Sequence, residues 1–568
     1  MRIAALVKPI PDVRAAATGA WDAERGLVLN PFCRRAVAQA CELAAAVGDG
    51  TVTVVALGPP SAERVVREAM TAALETDVAC DGLLVIDDAT DPLAIGRALA
   101  GALLDAGAFD LVLTGRRGAD ADGGHLGPQL AARLGLPFVG PARYLSLQRS
   151  TLHVRCELDD GWAQTTVELP AVVSCAARLI EPSTRPLSRL TDQTVRSVPR
   201  PSGPAARPAR PIGLHARPPR DQVVLDGPLD DQVRRAVELL RARGALDDAE
   251  DATGAATAGH GGALVAVVTE PARADDTVDL LGAAARIAGA PGGQVVAIGP
   301  TEDTTALGRA GADRVVQLHG SDAAEDVAGV VAAWAADAAP TAVLLTSTDW
   351  GREVAARAAV TLEATLVPGA TGVTSDAEGL TVETPVLAGQ LVATTRFDTR
   401  PVVITVRPGT LPRSERRGVS SVTSSALSVA ACSRVRVRSR TRTADLVTLD
   451  RARVVLGVGL GVDPADYPLL SPLLERLDAA LACTRPVADR RWLPSGRQVG
   501  LTGRALAPRL YLTVGSSGAF EHLVGVAGAG TILAVDPARD ATVFRAADVG
   551  IVADWRDVVG RLAAAVRP

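Results

Sequence analysis

The chain has 568 residues, 48% of them hydrophobic and 22% charged, with a formal net charge of −5. That length exceeds a single core, so three or four domains are expected. The mildly acidic balance and the 3% aromatic content exclude a nucleic-acid binder, which calls for a basic face and stacking side chains.

The opening "MRIAALVKPIPDV" is too brief an apolar run for a signal peptide and reads as a first strand. No apolar run nears the ~18 residues of a membrane span, so the chain is read as cytoplasmic and not membrane-embedded. Residues 1–187 form a first block, with "VTVVALGPP", a helix, "FDLVLTGRRGAD", a helix and "TTVELPAVVSCAARLIEP" in that order. In the join at 188–259, residues 188–222 are rich in Pro and Arg and read as an extended linker. A helix-like "LDDQVRRAVELLRARGAL" and a Gly/Ala/Asp-rich loop follow. Residues 260–407 repeat the first block's order with "GQVVAIGPT", "TAVLLTSTDWGRE" and "ATTRFDTRPVVITVRPG", which points to two copies of one domain. Residues 408–450 make a polar connector with room for one strand, and 451–568 form a third block. Short β-branched strands between Ala-rich helices predict parallel α/β sheets in all three. The seven cysteines include no CxxC pair and the six histidines are dispersed, so reduced thiols and no metal site are expected.

In the first block, "TGRRGADADGGHLGPQLAARLGLP" (Thr114 to Pro137) leaves a strand and opens a helix. Its glycines bare backbone N–H groups, and the helix start favours an anion. Asp120 and Asp122 are placed to meet hydroxyls, cap the helix or bind a cation. A plain solvated loop fits the spacing equally well. The second copy's "TSTDWGREVAARAA" lacks the glycines, so only the first copy is expected to hold a nucleotide. In the third block, "VVLGVGLGVDP" approaches a dinucleotide fingerprint without matching GxGxxG. "CTRPVADRRWLP", "RQVGLTGRALAP", "VGSSGAFEHL", "ILAVDP" and "DVGIVADW" then put small or polar residues at strand ends. Five such ends within ~75 residues predict one ligand crevice.

"TRPVADRRWLPSGRQVGLTGRALAPRLYLTVGSSGAFEHLVGV" resembles the FAD-binding stretch of the α subunit of electron transfer flavoproteins, and "AVDPARDATVFRAADVGIVADW" resembles its continuation. The second block is similar to that subunit's N-terminal domain. The first is similar to the β subunit, through "VKPIPD", "NPFCRRAVAQACEL" and "LTGRRGADADGGHLGP". The resemblance implies β and α subunits fused in one chain, similar to the form associated with mycofactocin systems. It implies two adenine nucleotide α-hydrolase-like domains and a C-terminal Rossmann-like FAD-binding domain. It places Thr484 and Arg485 beside the flavin ring, Val499, Gly500, Leu501 and Thr502 on the next contact strand, and Ser517, Gly518, Ala519, Phe520, Glu521 and His522 around the ribityl and pyrophosphate. His522 is expected near the pyrimidine side of the ring, and Asp536 and Asp554 near the adenosine half. In the first block it assigns AMP to Leu6, Asn30, Pro31, Phe32, Cys33, Leu57, Gly115, Asp120, Asp122, Gly123, Gly124, His125 and Leu126. Leu187 is expected to dock a partner dehydrogenase.

The implied function is an electron carrier. It accepts electrons from a flavin-dependent dehydrogenase and passes them to a membrane quinone oxidoreductase or similar acceptor, with no small-molecule substrate of its own. An electron-bifurcating relative with a second FAD in place of AMP is the alternative. An ATP-using or nucleotide-binding regulatory protein ranks lower, because no pyrophosphatase or Walker A loop is present. A flavin that gains negative charge needs fixed positive charge beside it, and Arg485 suits that task. Four departures stand out: Gly459 where the family has arginine, Leu501 and Glu521 where it has glutamine, and Asp536 where it has asparagine. Glu521 is expected either to lower the flavin potential and raise the pKa of His522, or to be neutralised by Arg504 or Arg545.

Overall fold

The computed structural model describes residues 1–17, 26–180, 194–201, 209–247, 262–289, 292–301, 303–411 and 422–566. The first sheet runs Val195–Pro199, Ala79–Ile86, Thr51–Gly58, Arg2–Val7, Leu111–Gly115, Ala171–Cys175 and Phe138–Gln148, all parallel. It continues antiparallel through Thr151–Leu158, Gly161–Glu168 and Arg436–Arg442. The second is wholly parallel, in the order Thr423–Val429, Arg314–Gly320, Gln294–Gly299, Leu264–Val268, Ala342–Thr346, Val402–Val406 and Thr365–Ala370. Strand for strand this repeats the parallel part of the first sheet, so the repeated sequence order reflects one topology used twice.

The third sheet, also parallel, is ordered Val223–Leu225, Val549–Val552, Thr531–Asp536, Leu510–Val514, Val454–Val458 and Ala480–Cys483. Ala342–Thr346, Val402–Val406, Val454–Val458 and Leu510–Val514 are buried at every position. Strands covered on both faces carry continuous apolar runs rather than alternation. In each sheet the chain runs outward from one strand and returns on its other side. The switch lies between Arg2–Val7 and Leu111–Gly115, between Leu264–Val268 and Ala342–Thr346, and between Val454–Val458 and Leu510–Val514. Ligand crevices open at the carboxyl ends of such pairs.

The polar stretches read as linker and connector are drawn into the sheets instead. Val195–Pro199 pairs with Ala79–Ile86, Ala209–Ala216 with Leu391–Phe397, and Val223–Leu225 with Val549–Val552. Thr423–Val429 and Arg436–Arg442 close edges of the second and first sheets. These are edge strands held by backbone pairing, and most of their side chains are exposed. Proline, arginine and serine therefore replace the apolar periodicity that marks a core strand. Among the described residues no helix is long and apolar enough to cross a membrane.

Candidate functional site

The carboxyl edge of the third sheet gathers the predicted flavin residues. Thr484 follows Ala480–Cys483, is buried, and stands at the N-cap of Arg485–Asp489 without a side-chain cap bond. Gly515 to Ala519 follow Leu510–Val514 and lead into the short helix Phe520–Leu523, again without a side-chain cap. Two uncapped helix starts thus present N–H groups at one edge, a donor set that suits a diphosphate. Glycine is required in that turn. Gly518 sits at φ 71°, and a Cβ there would lie 2.4 Å from the Val543 Cα. Ser516 is buried against Thr513, hydroxyl to hydroxyl at 2.7 Å. Asp536 and Asp554 reach the same edge, but the Asp554 side chain caps Trp555–Ala565 by accepting from the Arg556 N–H. The set fits an anionic dinucleotide such as FAD.

Two expectations change, and a third position finds its reason. His522 points inward: its Nε2 lies 2.8 Å from the Tyr511 hydroxyl and its Nδ1 3.1 Å from the Val499 carbonyl. Both nitrogens are engaged within the protein, so the imidazole locks strand, loop and helix together instead of donating to a ring. Burial pushes its pKa down to about 4 despite the Val499 carbonyl, so it stays neutral. Glu521 pairs with Arg14 of the first block, not with Arg504 or Arg545. Arg504 is committed to Asp450 and to the Gly496 and Asp159 carbonyls. Gly459 has no room for the family's arginine, since a Cβ there would stand 2.1 Å from the Gly515 carbonyl oxygen. That loop interlocks with the 515 turn through Gly459 N–H to Val514 and Gly461 N–H to Gly515.

The first block closes over this edge. Arg178, just past Ala171–Cys175, donates from Nε to Asp489 at 2.8 Å and from Nη2 to the Gln498 side-chain oxygen. Gln498 in turn donates to Thr502 at 3.0 Å, and Arg485 donates to Asp489 at 3.2 Å. Burial alone would raise the Asp489 pKa, but the hydrogen bond and charge of Arg178, with Arg485, hold it below the usual carboxylate range. Arg117 reaches the Gly503 carbonyl. Sequence reasoning missed Arg14, Arg178 and Asp489; for the first two no local signal exists, because their partners lie some 300 residues or more away.

In the first block, Asn30 is buried and ties the predicted loop to the helix Pro31–Val47. Its amide donates to the Arg117 carbonyl at 2.9 Å and accepts from the Ala119 N–H at 3.2 Å. Leu6 and Leu57 lie on adjacent parallel strands, and a Cβ on Gly115 would meet the Phe32–Cys33 backbone at 3.0 Å. Asp120 is held by Lys8 at 2.7 Å and Asp122 by Arg117 at 2.8 Å, so neither is left to cap the helix or hold a cation. Among the described residues no His/Cys/Asp/Glu group suits a metal. Among the buried polar atoms of this loop without a hydrogen-bond partner are Thr114 Oγ1, Arg116 Nε and His125 Nδ1. Burial, with Lys8 nearby, lowers the His125 pKa to about 4.

The second copy's equivalent loop is filled by ion pairs: Asp349 meets Arg116 of the first loop at 2.9 Å, and Arg116 also meets Asp159 at 2.7 Å. The two copies thus face each other through corresponding loops. Leu187 lies outside the described residues.

Comparison with known proteins agrees with this geometry. The family model "Electron transfer flavoprotein FAD-binding domain" matches residues 448–527, and "Electron transfer flavoprotein domain" matches twice, over 20–202 and 256–431. The chain is 33% identical over 242 residues to an electron transfer flavoprotein subunit alpha of Thermoanaerobacterium thermosaccharolyticum, covering 41% of this chain and 73% of that one. It is 34% identical over 267 residues to Protein FixB of Escherichia coli, covering 45% and 84%, and 34% identical over 236 residues to Protein FixB of Bradyrhizobium diazoefficiens, covering 40% and 64%. The chain belongs to the electron transfer flavoprotein family and carries its FAD-binding domain.

Proposed function

We propose that this chain is an electron carrier in which a β-type first block and α-type second and third blocks are joined in one polypeptide. It would take electrons from a flavin-dependent dehydrogenase and deliver them to a membrane quinone oxidoreductase or similar acceptor. The fusion is supported by the domain that occurs twice, and by α-type relatives that account for only 40–45% of the chain.

One observation carries the reading. Thr484–Arg485, Val499–Thr502 and Ser517–His522 come together on one sheet edge, within or beside the matched FAD-binding stretch. When bound, the flavin supplies the redox chemistry. The residues around it orient and tune it. The uncapped start at Phe520 would offer N–H groups to the diphosphate, and Arg485 would offer permanent positive charge where negative charge grows on reduction. The first block, through Arg178, Arg117 and Arg14, covers the edge against water. AMP is assigned to the strand-end crevice of the first block, completed by Asn30, Thr114 and His125, with the Gly115–Leu126 loop as its wall. Leu187 is assigned to dehydrogenase docking. The seven unpaired cysteines fit a reducing, cytoplasmic setting.

Cofactor extraction from the purified chain tests this. One FAD and one AMP per chain are expected. Two FAD and no AMP would favour a bifurcating carrier, and a chain that stays colourless with added FAD would refute the proposal.

A further inference from the structure

The segments Thr484–Asp489 and Gln498–Thr502 meet beside Cys483, and one side chain from another block contacts both. Arg178 has only 12% of its side chain exposed. Its guanidinium uses two of its nitrogens, Nε on Asp489 and Nη2 on Gln498. Asp489 is shared: Oδ1 takes Arg178 at 2.8 Å and Oδ2 takes Arg485 at 3.2 Å. Gln498 is oriented by the same contact, its oxygen to Arg178 and its amide to Thr502 at 3.0 Å. Arg178 is itself held, since Arg143 donates to its carbonyl and lies 3.7 Å from Glu157, which accepts from the Ser495 hydroxyl. A planar fork is required for two divergent acceptors, and lysine cannot replace it.

We propose that Arg178 is a positioning residue for the flavin, setting how Asp489 is shared with Arg485 and where the Thr502 hydroxyl points. This rests on the assignment of FAD to this edge. Two arginines share one carboxylate, so the trio carries a net positive charge. Without Arg178, Asp489 neutralises Arg485 alone and the trio becomes neutral. Without the Asp489 charge, the trio gains one positive charge. The two changes should therefore move the flavin potential in opposite directions, a pattern that general loosening of the interface does not produce.

The test is a potentiometric titration of the full chain with FAD bound, comparing wild type, Arg178→Gln and Asp489→Asn, with FAD dissociation measured alongside. Arg178→Gln should disfavour the reduced form about three- to tenfold, a fall of ~30–60 mV at ~59 mV per tenfold for one electron. Asp489→Asn should raise the potential by a comparable amount. Shifts of the same sign, or none with FAD retained, would overturn the inference while leaving the cofactor assignment intact. A wild type that takes up no FAD would overturn the assignment and the inference with it. Should Arg178→Gln fail to fold, Asp489→Asn decides alone: an upward shift supports the inference and an unchanged potential refutes it.

Discussion

Acidification offers a direct test of the inward-facing His522. The imidazole is 5% exposed and bridges the Tyr511 hydroxyl and the Val499 carbonyl. Burial takes its pKa from 6.5 to about 4. Between those values the unfolded chain binds a proton that the folded chain refuses, so stability rises with pH there. The contribution is fully present above ~6.5 and is lost as pH falls toward ~4, at ~1.4 kcal/mol per pH unit. Over the whole interval that comes to ~3 kcal/mol, a large part of the ~5–15 kcal/mol that holds a typical domain folded. His522→Gln keeps a donor and an acceptor but cannot titrate. It should cost ~1–3 kcal/mol at pH 7 through imperfect bonds to two buried partners, and it should flatten the acid slope. The assay is denaturant-induced flavin release, followed by flavin fluorescence from pH 7.5 to 4.5. His125 adds a similar slope in the first block, which the variant leaves untouched. Identical pH slopes in wild type and His522→Gln would refute the buried, neutral assignment.

The Glu521–Arg14 pair is partly exposed, with side-chain exposures of 43% and 67%, and pairs of that kind contribute ~0–1 kcal/mol. Glu521→Gln should therefore raise the flavin potential by no more than ~40 mV, and Arg14→Ala in the same chain should cancel the rise; a larger shift in the titration would mean the carboxylate is uncompensated. Asp548, 2% exposed, takes Arg220 and Arg243 each at 2.6 Å and the Ile532 N–H at 2.8 Å. Asp548→Ala leaves Arg220 with the Ala529 carbonyl and Arg243 with Asp221, but it removes the buried carboxylate that also holds the Ile532 N–H. It should destabilise the third block by ~2–3 kcal/mol, read as faster hydrogen exchange in Leu510–Val514 and Thr531–Asp536 while the first two sheets keep their protection. Leu187→Ala should slow electron uptake from the true donor dehydrogenase and leave the flavin spectrum unchanged; unaltered uptake kinetics would exclude Leu187 from docking.

The sequence by itself determined the parallel sheets and the crevice. "LYLTV" and "VVLGV" are apolar throughout because both faces are covered, and each runs into glycine because the two following loops pack backbone to backbone. The duplicated order of strands and Gly-Pro turns was visible for the same reason: it is written in local apolar runs and turn residues. The edge strands Ala209–Ala216 and Arg436–Arg442 were not, since they contribute backbone hydrogen bonds and bury little, and backbone pairing leaves no mark on side-chain pattern. Gly459, where the family has arginine, likewise has its reason only in the fold: packing against the Gly515 carbonyl leaves no space for a side chain. The direction of His522, the partner of Glu521 and the fork of Arg178 were decided only by tertiary structure. Each depends on groups brought together by the docking of separate sheets, and an electrostatic contact between residues some 300 or more positions apart is a property of that docking rather than of either local sequence.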